Sequence, residues 1–238
     1  MVRFFVTPQD LDSDFVTLTG ENEQHKKVLR LKDGEQILLC DGQGREAVCR
    51  INGDGVTVEQ RRPSETEAGV FVTVYMAFPK ADKLEHVIQK ATELGAAEIV
   101  AFPSARCVSR PDDKSLKKKL ERWQKIAQSA AQQSGRGRIP QVMVLGSFRE
   151  ALERGGKADK PLLFYENEQA LTLKMALSRE PCQTVSLLTG PEGGLEEKEV
   201  EQAREAGWTV CTLGKRILRC ETAPLCALSA VMYDAGEF

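Results

Sequence analysis

Apolar and polar positions follow two rhythms along this 238-residue chain, and the change falls near residue 70. Before it, short apolar stretches between glycine turns predict strands at residues 2–6, 35–40, 46–51 and 55–59. In the third, Ala47, Cys49 and Ile51 alternate with polar neighbours, the period-two mark of a half-buried strand. The turns are explicit: Asp33-Gly34, Asp41-Gly42-Gln43-Gly44 and Asn52-Gly53-Asp54-Gly55. One helical patch, residues 21–28, interrupts them. Residues 60–69 carry no large apolar side chain and include Pro63 and Gly69, which marks a linker. The expectation is a small β-rich domain, a barrel, over residues 1–69.

Beyond residue 70 strands alternate with helices. Apolar runs at 70–77, 97–102, 141–145, 161–165, 185–188 and 208–213 read as buried strands. Between the first two, Asp82 caps a helix with apolar spacing at Leu84, Val87, Ile88, Ala91 and Leu94, ended by Gly95. A longer helix, residues 115–133, places Leu116, Leu120, Trp123, Ile126, Ala127 and Ala130 on one face. Further helices are expected at 195–206, closed by Gly207, and at 222–233. This succession predicts an α/β domain over residues 70–238, with a mostly parallel sheet and helices on both faces. A strand, helix, strand unit from 185 to 213 implies an adjacent parallel pair, whose following loops meet at the carboxyl edge where such sheets bind ligands.

Composition narrows the class. Hydrophobic residues at 41% and charged residues at 29% are globular values, so a packed core rather than disorder is expected. No apolar stretch approaches the roughly 18 residues that cross a bilayer, and Met1-Val2-Arg3-Phe4-Phe5-Val6 is too short for a secretory signal. A cytoplasmic protein with no membrane partner is expected. Seven cysteines without a C-x-x-C pair, with only His25 and His86 beside them, give no expectation of a metal, and the cysteines read as core. The net charge of −2 conceals an asymmetry: residues 1–70 hold nine Lys/Arg against thirteen Asp/Glu, residues 80–140 thirteen against seven. The second region fits a nucleic-acid surface or a solvated helical face.

Gly42-Gln43-Gly44-Arg45-Glu46-Ala47 satisfies the dinucleotide fingerprint on paper. That motif needs a helix starting at the glycines, and a strand follows here, so it is a hairpin turn. Two later segments stand where an α/β sheet takes ligands: Thr189-Gly190-Pro191-Glu192-Gly193-Gly194 and the stretch opened by Leu213-Gly214. Gly193 and Gly194 allow a ligand close to the main chain. No Gly-Lys-Ser/Thr ending is present, and Glu192 would repel phosphate, so a neutral or cationic ligand fits better. Spacing alone equally fits glycines that merely end strands and start helices.

The wording of these segments is more specific. Leu187-Leu188-Thr189-Gly190-Pro191-Glu192-Gly193-Gly194-Leu195 and Leu213-Gly214-Lys215-Arg216-Ile217-Leu218-Arg219-Cys220-Glu221-Thr222-Ala223 resemble the small-subunit ribosomal RNA uridine N3-methyltransferases of the SPOUT superfamily, the RsmE family. Val28-Leu29-Arg30-Leu31 with Asp41-Gly42-Gln43-Gly44, Gln89-Lys90-Ala91-Thr92-Glu93-Leu94-Gly95, and Gln133-Ser134-Gly135-Arg136 agree, so the resemblance covers most of the chain. Two positions depart: Gln132 stands where the family commonly has Glu, and Pro224 follows Glu-Thr-Ala. The resemblance implies a PUA-like RNA-binding barrel, then a trefoil-knotted SPOUT domain that holds S-adenosyl-L-methionine, usually at a homodimer interface. Ribosomal RNA, within the small ribosomal subunit, is the implied partner.

That reaction assigns roles. Leu188, Thr189, Gly190, Glu192, Gly193, Gly194, Leu213, Gly214, Ile217, Leu218, Thr222 and Ala223 are the expected cofactor-binding residues. Arg136, Arg219 and Glu221 are the catalytic candidates, the arginines stabilising charge on the base as its proton leaves. Glu221 equally reads as a helix cap. Arg3, Lys26, Arg30, Lys80, Lys83, Arg106, Arg110 and Arg138 are the expected RNA contacts, each equally readable as a surface ion pair. No base for the N3 proton stands out. Two rivals remain at this point: a non-catalytic dimeric RNA-binding protein, and a methyltransferase of the same superfamily acting on another RNA.

Overall fold

The computed structural model describes residues 1–108, 111, 113–178 and 182–238. They form two compact units: Met1–Glu67 together with Ala131–Ile139, and Ala68–Ala130 together with Pro140–Phe238.

The first unit is built on a five-stranded sheet of β1 (Arg3–Phe5), β2 (Phe15–Thr17), β3 (Gln36–Cys40), β4 (Arg45–Asn52) and β5 (Gly55–Pro63), in the order β1-β3-β4-β5-β2. All pairings are antiparallel except β1 with β3. Alternation puts Ile37, Leu39, Ala47, Cys49, Ile51 and Val56 into one core with Phe4, Leu11, Val16 and Leu18. Two short helices, α1 (Pro8–Leu11) and α2 (Gly20–Val28), complete it. The Gly42-Gln43-Gly44 segment turns β3 into β4, as a hairpin requires.

Two expectations are corrected. The linker does not begin at residue 60, because β5 continues to Pro63, with Glu46 opposite Arg62 and Ala47 opposite Arg61. Polar side chains hold that stretch in place of apolar packing: Arg62 pairs with buried Glu46, and Arg61 donates to the carbonyls of Leu11, Asp12 and Ser13. Nor is the first unit contiguous. The segment Ala131–Ile139 belongs to it, with Ile139 N donating to Gly42 O at 2.9 Å.

The second unit carries a six-stranded, all-parallel sheet in the order β11-β9-β10-β6-β7-β8. Its strands are β6 (Phe71–Ala77), β7 (Glu98–Phe102), β8 (Gln141–Val144), β9 (Lys160–Phe164), β10 (Thr184–Thr189) and β11 (Thr209–Cys211). The central pair is largely apolar because both faces are covered: Val72 to Ala77 and Val185 to Thr189 are buried throughout, the polar Thr73, Ser186 and Thr189 included. Each fully buried Leu or Val there contributes about 1.5–3 kcal/mol relative to exposure.

Helices α3 (Lys83–Glu93), α4 (Asp113–Ser134), α5 (Phe148–Gly155), α6 (Leu173–Leu177), α7 (Glu197–Glu205) and α8 (Thr222–Asp234) join the strands. In α3 the buried face is Leu84, Val87, Ile88 and Ala91, as the spacing predicts. α5 and α6 are absent from the sequence reading, although α5 is capped by Ser147 and buries Phe148, Ala151 and Leu152. Among the described residues no helix is long and apolar enough to cross a membrane.

One topological expectation fails. β10 and β11 are not neighbours, since β9 lies between them and pairs with both. The carboxyl edge there is therefore made by three successive strand ends.

Candidate active site

The loops after β9, β10 and β11 enclose a cavity of about 480 Å³, within the range of small-molecule sites. From β9 come Phe164, Tyr165 and Glu166; from β10, Thr189 through Leu195; from β11, Thr212, Leu213, Gly214 and Arg216 through Cys220. Ala223 of α8 and Lys83 of α3 complete the wall. The two glycine segments thus share one cavity although their strands are separated.

Glycine is required at two points. Gly194 has φ +69°, and a Cβ on it would lie 2.3 Å from Glu166 Oε1. Gly214 has φ +108°, which side-chain-bearing residues rarely adopt. The glycine loop is also held from outside. Arg106 Nη1 donates to Gly193 O at 2.9 Å. Buried Glu199 accepts from Ala105 N at 2.8 Å and from Glu196 N at 2.9 Å, tying the β7–α4 loop to the start of α7.

Charge is concentrated on one wall. Lys83 Nζ lies 3.0 Å from Glu192 Oε1 and 3.3 Å from Glu221 Oε2, so one ammonium bridges a carboxylate of each loop. Burial opposes ionisation of Glu192, but the Lys80 amide, 3.0 Å away, and the Lys83 ammonium outweigh it and hold its pKa below the usual carboxylate value. Glu221 is lowered in the same way: burial is overcome by its own amide, the Cys220 thiol and Lys83. Burial drives the Cys220 thiol up to about 12, so it serves as a neutral donor to Glu221 Oε2 at 3.3 Å. Glu221 stands at the N-cap position of α8 but makes no side-chain cap bond, so the capping alternative does not apply.

Of the residues expected to hold a cofactor, Thr189, Gly190, Glu192, Gly193, Gly194, Leu213, Gly214, Ile217, Leu218 and Ala223 line the cavity. Leu188 and Thr222 do not; Leu188 is a core residue of β10, and Thr222 opens α8. Phe164, Tyr165, Glu166 and Thr212 line it without having been expected. Arg219 lines it too and is largely exposed, at 3.9 Å from Glu221. Arg136 belongs to the first unit, where it is buried and its Nη2 meets Glu67 Oε2 at 2.7 Å.

The basic residues expected at RNA have varied surroundings. Arg3 is nearly buried against Glu46 at 2.7 Å, which makes it an internal pair. Lys26 donates to Gly53 O, Arg30 is exposed at φ +54°, Arg138 is half-buried, and Lys80 is exposed. Lys83 and Arg106 serve the cavity wall as described. Arg110 lies outside the described residues. Gln132, where the resemblance departs, donates to Arg3 O and meets His25 Nδ1, both at 2.9 Å.

An adenosyl cofactor fits what is present: a cavity of suitable volume, main chain stripped of side chains at Gly194 and Gly214, and two ionised carboxylates for a cation. Comparison with known proteins agrees. The RNA methyltransferase domain family matches residues 66–232, and the RNA methyltransferase PUA domain family matches residues 19–60. The chain is 40% identical to a ribosomal RNA small subunit methyltransferase E of Bacillus subtilis, covering 98% of this chain and 97% of that protein. It is 32% identical to the protein of that name from Mesomycoplasma hyopneumoniae, covering 98% and 100%. A crystal structure of a ribosomal RNA small subunit methyltransferase E from Neisseria gonorrhoeae bound to S-adenosyl methionine has TM-score 0.86 at 33% identity, covering 98% and 97%. A Legionella pneumophila methyltransferase structure with the same cofactor has TM-score 0.82 at 27% identity, covering 98% and 97%.

Proposed function

The chain belongs to the ribosomal RNA small subunit methyltransferase E family, and on that premise we propose that it methylates N3 of one uridine in small-subunit ribosomal RNA. It is an S-adenosylmethionine-dependent RNA methyltransferase. The observation that carries the proposal is the meeting of the Gly190–Gly194 and Leu213–Leu218 stretches around one cavity. Homodimerisation, the knotted chain path, action on the small ribosomal subunit and a cytoplasmic location are parts of the same proposal.

When bound, the cofactor supplies an electrophilic methyl group on a sulfonium. The chain's own residues do the rest. Main-chain groups at Gly190, Gly193, Gly194, Leu213, Gly214 and Leu218 hold the nucleoside, and the apolar side chains of Leu195, Leu213 and Leu218 flank it. Glu192 and Glu221, kept ionised, favour a cation at the cavity over a neutral thioether. Arg219 stabilises the negative charge that grows on the uracil as its N3 proton leaves. Lys80, Lys215 and Arg216, exposed on this unit, and Lys26 and Arg30 of the other take phosphates.

Incubation with label-bearing S-adenosylmethionine and small ribosomal subunits lacking the modification tests the reading. Label on N3 of a uridine is expected. Label on ribose or on another base would favour a different methyltransferase, and absence of both transfer and cofactor binding would leave the RNA-binding reading.

A further inference from the structure

We propose that Lys83 is a positioning residue for the cofactor cavity, a cation that clamps its two glycine loops together. The inference rests on the functional reading above and deepens it.

Glu192 sits in the loop after β10, and Glu221 at the end of the loop after β11. The two strands that launch these loops share no hydrogen bond, because β9 separates them. Both carboxylates meet the ammonium of Lys83, with Nζ at 3.0 and 3.3 Å. The same ammonium donates to Cys220 Sγ at 3.8 Å. The clamp is anchored on a rigid support: Lys83 is the first residue of α3, whose Leu84, Val87, Ile88 and Ala91 are buried in the domain core. The backbone just ahead of it joins the same group, with Lys80 N donating to Glu192 Oε1 at 3.0 Å.

Lys83 and both carboxylates are only partly exposed, at 30, 27 and 18%. Two like charges brought this close repel each other without a shared counter-ion, and the main-chain cradle they carry would open. A lysine engaged in this way is not offering its charge to a phosphate, which separates the positioning role from RNA contact. It also separates it from direct attraction to the sulfonium, since a cation there repels another cation. A loop clamp must serve every ligand that uses the cradle, charged or neutral.

The full-length protein carrying Lys83→Met, Lys83→Arg, Glu192→Gln or Glu221→Gln distinguishes these roles. Affinity is measured by calorimetry for S-adenosylmethionine and for its demethylated thioether, with thermal unfolding and affinity for unmethylated small subunits alongside. K83M is expected to weaken both small ligands at least tenfold, the neutral thioether no less than the sulfonium, to lower Tm by no more than a few degrees, and to leave subunit affinity unchanged. K83R is expected to recover most of the loss, and either Glu→Gln change to reproduce part of the loss for the neutral thioether, which carries the test if K83M fails to fold. Unchanged affinity for both ligands, a loss confined to the sulfonium, or a loss confined to ribosomal subunits would overturn the proposal. A wild-type protein that binds neither ligand would instead refute the functional reading beneath it.

Discussion

Gly194 and Glu166 are in contact across the cavity: a Cβ on the glycine would stand 2.3 Å from a carboxylate oxygen of the glutamate, at a backbone φ of +69°. Gly194→Ala therefore forces either the side chain of Glu166 or the glycine loop to move. Adopting a left-handed angle costs a side-chain-bearing residue about 1–2 kcal/mol. The expected result is at least tenfold weaker cofactor binding by calorimetry, with Tm lower by about 2–8 °C at roughly 2–4 °C per kcal/mol for a chain of this size. Gly214→Val should abolish binding through its φ of +108°. Retained affinity in both variants would mean the ligand does not approach these backbones.

Asp41 holds the β3–β4 turn and sets an acid limit on the first unit. Its side chain is fully buried and accepts from Gln43 N, Arg45 N and Arg45 Nε at 2.8, 3.0 and 2.7 Å. Burial raises its pKa, but these donors outweigh that and leave it below the ordinary 3.8. A carboxyl depressed in the folded state stabilises it fully above the unfolded pKa and loses that contribution as pH falls through the folded value. Asp41→Asn is expected to cost about 1–3 kcal/mol at pH 7. In urea titrations the difference between variant and parent should shrink as pH drops below about 3.8; a pH-independent gap would contradict the assignment.

Arg136 and Glu67 should behave as one structural unit. The Glu67 carboxylate accepts from Arg136 Nη2 and from the amides of Gly137 and Arg138 at 2.7–2.9 Å. Removing one partner of so buried a pair costs about 3–5 kcal/mol. Arg136→Ala and Glu67→Ala are expected to lower stability alike, with a double variant no worse than the more severe single one. A strong loss of methyl transfer in Arg136→Lys at unchanged stability would show a direct catalytic role beside the structural one.

Thiol reactivity offers an independent check on packing. Burial drives the Cys40 and Cys49 thiols up to about 11 and those of Cys211 and Cys220 to about 12. At pH 8 these four should resist iodoacetamide until the protein unfolds. Fast alkylation of Cys220 would show that its cavity wall opens.

Much of this arrangement was legible in the sequence, for physical reasons. Largely apolar runs, broken only by small hydroxyl residues, identify β6 and β10 because parallel strands are covered on both faces. The spacing of Leu84, Val87, Ile88 and Ala91 fixes the buried side of α3. Glycines at 194 and 214 mark the cavity because main-chain geometry there excludes other residues. What stayed hidden depends on partners distant in the chain. The insertion of β9 between β10 and β11 has no local signature, and with it Phe164, Tyr165 and Glu166 went unnoticed at the cavity. Arg136 pairs with Glu67, a residue 69 positions away that no local pattern links to it. Lys83 resembles any surface lysine until two carboxylates from separate loops converge on it. The short elements α1, β2 and α6 fall below the length at which periodicity speaks, whereas α5 carries a Ser147 cap and helical spacing at Phe148, Ala151, Leu152 and Gly155 that a closer reading could use.

A crystal structure of the full chain with S-adenosylmethionine tests the central claim most directly. The account predicts the adenosyl group in the cavity between Gly190–Gly194 and Leu213–Leu218, hydrogen-bonded to main chain, with its sulfur on the side of Glu192 and Glu221. Electron density for the cofactor anywhere else on the protein would contradict it.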